Sequence, residues 1–167
     1  MKWIILLVCI LIVLIAMIYL IGSLMDVKHV ATIERKLKMG SDETWNILTN
    51  FKEYTSWRSG IKELTIDSIN HWTEKNSHGD NVSYQLEVVD EKMTFITRII
   101  NKDLAYGGYW EFSISPLHDG CSVKITENGE VYNPMFRFMA KYIFGHETTL
   151  KNYMRDLEVK SNSLSSE

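Results

Sequence analysis

The chain has 167 residues, 46% of them hydrophobic, and 18 Lys+Arg against 21 Asp+Glu give it a formal net charge of −3. A mildly acidic chain without a basic block argues against nucleic acid as a partner. Cys9 lies in an apolar N-terminal run and Cys121 is alone in the remainder, which excludes an intradomain disulfide and a cysteine-based metal site.

Between Lys2 and Asp26 no residue is charged, and Trp3 to Ile21 is apolar without a break. At about 1.5 Å per residue, a helix over this stretch is roughly 34 Å long, enough to cross a ~30 Å hydrocarbon core with some tilt. A secretory signal has a shorter apolar region, ~7–15 residues, and a small-x-small cleavage site. Here Gly22-Ser23 follows Tyr19-Leu20-Ile21, a poor site. Residues 1–27 therefore read as a retained single-pass transmembrane anchor, with Trp3 and Tyr19 near the two interfaces. Lys28, Arg35, Lys36 and Lys38 outnumber Lys2 and the amino terminus, so the positive-inside rule favours a cytoplasmic domain.

Residues 28–160 have the size of one ordinary domain. Met25 to Lys28 is the whole connection to the anchor, and the polar stretch 161–167 is expected to be a disordered tail. Val30 to Met39 predicts a strand, and Gly40-Ser41-Asp42 a turn with Ser41 or Asp42 capping a helix through Asn50. A second short helical turn covers Glu53 to Trp57. Strand-like runs follow at 61–69, 72–76, 82–88, 93–100, 109–115 and 121–131, with the hairpin-type turn Ser77-His78-Gly79-Asp80 among them. Their alternation places Trp110, Phe112 and Ile114 on one face, and Cys121, Val123 and Ile125 likewise, as in an antiparallel sheet with one buried side. Asn133 is a plausible N-cap with Pro134 as first helical residue. From there Met135, Met139, Tyr142, Ile143, His146, Leu150, Tyr153 and Leu157 form a stripe at spacings of three and four, which predicts one long helix interrupted at Gly145.

This α+β order resembles the helix-grip fold of the START-like superfamily (SRPBCC), which includes polyketide cyclase/dehydrase-like and lipid-transfer proteins. Ser41-Asp42-Glu43-Thr44-Trp45 resembles the family's approach to its first helix, and Trp57 follows the second. Gly108-x-Trp110-x-Phe112-x-Ile114-x-Pro116 and Gly120-x-x-Val123-x-Ile125-x-Glu127 resemble its paired strands, and Asn133-Pro134 with the Gly145 helix its ending. The likeness covers about residues 29 to 158. It implies a curved antiparallel sheet gripping a long C-terminal helix, with a cavity between them for an apolar ligand.

Such a cavity needs apolar and aromatic lining with a few polar groups. The candidates are Tyr84, Leu86, Phe95, Trp110 and Phe112 from the sheet, and Phe136, Met139, Tyr142, Ile143 and His146 from the helix. Each also fits ordinary core packing. His29, His71, His78 and His118 fall at strand edges or turns and read as surface residues. His146-Glu147 begins like a metalloprotease helix but lacks the second His, and no nucleophile elbow, phosphate loop or metal-spaced cluster is present. No catalytic residue, metal or cofactor is assigned. The expected function is membrane-tethered binding of a hydrophobic small molecule of the lipid, isoprenoid or quinone class. The alternatives are a cyclase or dehydratase-type enzyme using His146 or Arg98, and an interaction module with a protein partner at the membrane.

Overall fold

The computed structural model describes residues 1–77, 79–145 and 147–164. Helix α1, Lys2–Ser23, is one continuous apolar rod, exposed along nearly all its length. By length and composition it is long and apolar enough to cross a membrane. Only four residues separate it from β1, Lys28–Leu37. Helix α2, Ser41–Thr49, starts one residue earlier than a Ser41 cap would place it and two earlier than an Asp42 cap: Gly40 holds the cap position, and Asp42 and Glu43 face the positive end of the helix dipole. A 3-10 turn, Phe51–Glu53, leads into the short helix α3, Tyr54–Trp57.

Six strands then run as an antiparallel meander: β2 Ile61–Ile66, β3 His71–Asn76, β4 Asn81–Asp90, β5 Thr94–Ile99, β6 Tyr106–Leu117 and β7 Gly120–Val131. Strand β1 closes the other edge against β7, with Ile33 opposite Ile125 and Leu37 opposite Cys121, so the sheet order is β1-β7-β6-β5-β4-β3-β2. The period-2 alternation buries one face. Phe95, Phe112, Cys121, Val123 and Ile125 meet Leu48 of α2 and Leu150, Met154 and Leu157 of the final helix in the main core. Phe95 stacks on Phe112 at 4.5 Å between centroids and meets the Trp45 ring edge-on at 5.4 Å. A second cluster joins Phe51, Tyr54, Ile61 and Trp72, with Phe51 stacked on Trp72 at 4.4 Å.

The long C-terminal helix is broken rather than merely bent. Asn133 caps as expected, its side chain accepting from the N–H groups of Met135 and Phe136. Helix α4 then covers only Pro134–Met139, a π-turn takes Ala140–Phe144, and Gly145 leaves the helix at φ 75°, a left-handed value that a Cβ disfavours. The chain resumes as α5, Thr148–Leu164. This last helix outruns the expected start of a tail at residue 161: Ser161 is buried and Leu164 packs against the core, while residues 165–167 lie outside the described residues. The expected turn residue His78 also lies outside them.

The Phe95 stack sits where sheet and helices meet. Phe95→Ala is expected to cost about 3–5 kcal/mol of stability. Thermal unfolding of the detergent-purified chain measures it.

Candidate functional site

Between the sheet and the segment from Phe136 to Tyr153 lies a cavity of about 730 Å³, within the range of small-molecule sites, roughly 300–1,000 Å³. Its volume has a local origin in the register of β6 and β7. Gly108 lies opposite Gly129, next to Gly107, so two neighbouring strands lack side chains at the same place. Trp110 and Phe112, on the buried face of β6, form the adjoining wall.

Of the sheet candidates, Tyr84, Trp110 and Phe112 line this cavity, and so do Phe136 and Met139 from the helical segment. Leu86 and Phe95 do not: Leu86 packs partly buried against both core clusters, and Phe95 is fully buried under Phe112. Tyr142 and Ile143 point outward at 59% and 62% exposure. The π-turn is the cause, since an i→i+5 turn inserts an extra residue and rotates the residues beyond it off a 3.6-period stripe. His146 lies outside the described residues. Arg98 faces away from the cavity, pairing with Glu87 at 3.2 Å and covering the Tyr109 ring at 4.6 Å.

The polar part of the site was not assigned from sequence. Arg58, just after α3, reaches Glu74 of β3 with 2.6 Å between Nη1 and Oε1, and the Trp72 indole N–H donates to the same oxygen at 2.8 Å. The Arg58 guanidinium lies over the rings of Tyr54 and Tyr153 at 4.8 and 4.7 Å. Asp156 of α5 accepts from both the N–H and the hydroxyl of Ser59, which fixes the turn carrying Arg58. Burial alone would make Arg58 easier to deprotonate, but Glu74 and the surrounding tyrosines outweigh it and raise its pKa. One signal was available: Glu74 shares a strand face with Trp72, a charge where alternation calls for an apolar residue.

Three tyrosines surround this ion pair. Burial pushes the Tyr54 hydroxyl up to about 12, against the opposing pull of Arg58. Burial likewise raises Tyr84 and Tyr153 well above the ordinary tyrosine value. Tyr54 donates to the carbonyl of Leu48. The Tyr153 hydroxyl, beside that of Tyr54 in a residue only 5% exposed, makes no well-formed hydrogen bond among the described residues.

A second polar pair lies on the β1–β7 side. His29 was expected at the surface, yet it lines the cavity, with Nε2 3.7 Å from Glu127 Oε1. Gly129 makes this possible, since a Cβ there would come within 2.3 Å of the imidazole. The other carboxylate oxygen of Glu127 is buried with no hydrogen-bond donor among the described residues.

These buried groups set two expectations. Because the tyrosine pKa values are raised by folding, the associated stability is intact below about pH 10 and is lost as pH rises toward the folded values. Denaturation midpoints of the purified chain should hold to about pH 9 and then fall, and Tyr54→Phe should lessen the fall between pH 10 and about 12. Secondly, Arg58→Met strands a buried carboxylate and should cost about 3–5 kcal/mol, whereas adding Glu74→Leu should restore much of the loss. Equal stabilities for the single and double variants would rule out this picture of the pair.

No family model matches the sequence, and neither does any curated protein. Solved structures do. A START superfamily protein from Mycobacterium smegmatis superposes with a TM-score of 0.64 at 18% identity, over 82% of this chain and 98% of its own. A point mutant of norcoclaurine synthase from Thalictrum flavum, solved with a transition-state analogue, gives 0.66 at 13% identity, over 85% and 99%. A protein from Mesorhizobium loti gives 0.59 at 12% identity, over 78% and 94%. At these identities the likeness concerns architecture: the chain has the START-like helix-grip fold, preceded by an apolar N-terminal helix.

Proposed function

We propose that this chain binds a hydrophobic small molecule of the lipid, isoprenoid or quinone class while tethered to a membrane by α1. The observation that carries the reading is the cavity itself: about 730 Å³ walled by Trp72, Tyr84, Trp110, Phe112, Phe136 and Phe144, with polar groups gathered at the Arg58–Glu74 and His29–Glu127 pairs. Such a lining suits a molecule with an apolar body and a small polar end. The Tyr153 hydroxyl supports this, because a ligand oxygen would complete its hydrogen bonding. Tethering adds a concentration effect, since a pocket held at the bilayer meets lipid-soluble ligand at a far higher local concentration than one in bulk water. The basic residues that follow α1 favour placing the domain on the cytoplasmic side.

Mass spectrometry of an organic extract of the full chain, purified from membranes in detergent, tests the proposal. The expected result is an apolar molecule near stoichiometric amount. Ala140→Trp, which puts an indole into the cavity wall, should lower that amount about tenfold with the unfolding midpoint unchanged. A chain that carries no apolar molecule, and binds no added lipid or quinone, would falsify the reading.

A further inference from the structure

Segment Pro134–Phe144 does three things at once. It lines the cavity through Phe136, Met139, Ala140 and Phe144. It also docks on the end of α1, where Gly22 is buried so closely against α4 that a Cβ would come within 1.9 Å of the Pro134 carbonyl oxygen. Ile18, one turn earlier, is half-buried while the preceding helix is exposed, so the contact runs back along the last turns of α1. Arg137 fastens the joint, donating from Nη1 to the Met25 carbonyl at 2.6 Å. Thirdly, the segment turns Tyr142 and Ile143 outward, at 59% and 62% exposure, and leaves the rims of the cavity-lining Phe136 and Phe144 accessible.

We propose that this segment is an interfacial lip that lies in the headgroup region of the lipid leaflet, so that the cavity opens toward the bilayer rather than toward water. The inference rests on the reading of α1 as a membrane anchor. Position and charge then select a lipid surface as the occupant. An element packed beside the last turns of a spanning helix is held at the level where that helix leaves the hydrocarbon core. Within an acidic chain, Asn133 to Gly145 holds no Asp or Glu and two cations, Arg137 and Lys141. Lys141 lies over the Tyr142 ring, 5.6 Å from its centroid. Aromatic rings with basic side chains and no acid are the composition that seats a helix among phospholipid headgroups. The π-turn and Gly145 end the lip on a backbone that departs from regular helix, as functional sites on helices frequently do.

The test uses the full chain in vesicles of phosphatidylcholine and phosphatidylglycerol, labelled with an environment-sensitive NBD fluorophore on single cysteines. Cys121 is buried and stays unlabelled, so native Cys9 reports on α1. Ile143→Cys with Cys9→Ser reports on the lip, and His118→Cys with Cys9→Ser reports on the β6–β7 turn. The lip label should be blue-shifted and quenched by lipids carrying a shallow doxyl group, the Cys9 label quenched by a deep one, and the label at position 118 left in water. A lip label as aqueous as that at 118, with Cys9 quenched, overturns the lip and leaves the anchor standing. A blue-shifted lip label indifferent to doxyl lipid means that protein, such as a second copy of the chain, covers the segment, and overturns it too. Should Cys9 escape quenching, the tether itself fails and the lip with it.

Discussion

One stretch of chain, Pro134 to Leu164, has to pack on two surfaces, the end of α1 and the buried face of the sheet. Its break after Phe144 is how it does both. The first half is held against α1 by the missing Cβ of Gly22 and by the Arg137 bond to Met25. The second half fills the main core through Leu150, Met154 and Leu157. The cavity lies where the halves diverge, bounded by residues from both. Close packing at a glycine tolerates no enlargement, so the joint between α1 and α4 is specific in shape, unlike a flexible linker.

Inside the cavity, electrostatics follow from burial. An ion pair removed from water is costly unless its geometry is good and its remaining groups find partners. Here Glu74 has both Arg58 and the Trp72 N–H, and Arg58 lies over two aromatic faces. The tyrosines around it are held neutral, which keeps further charge out of a space that is otherwise apolar. A site of this kind favours a ligand whose polar part is small and hydrogen-bonding, because a second ion would need its own partner.

Much of the architecture was legible because it rests on period and punctuation. Alternation along Tyr109–Ser115 and Cys121–Val131 marked the buried face of β6 and β7, and Asn133-Pro134 marked the start of α4. Trp110 and Phe112 follow from the same alternation, which is why they could be placed in the cavity wall. What escaped depends on register and long-range contact. His29 enters the cavity because its partner strand has Gly129 beside it, and nothing near His29 in sequence says so. Arg58 and Glu74 lie sixteen positions apart in different elements. Tyr142 and Ile143 fit the helical stripe on paper, and one π-turn carries them to the outside.

The proposed function requires an apolar molecule in the space beside Trp72 and Trp110. Titrating the full chain carrying Trp3→Phe, which removes the indole of α1, with a quinone in lipid nanodiscs while following tryptophan fluorescence tests this requirement, since quinones quench indole on contact and both rings line the cavity. Binding in the cavity gives saturable quenching at one quinone per chain, abolished when Ala140→Trp fills the space. Quenching that rises linearly with quinone in the lipid, and is the same in the filled variant, would mean that the ligand dissolves in the bilayer and never enters the domain.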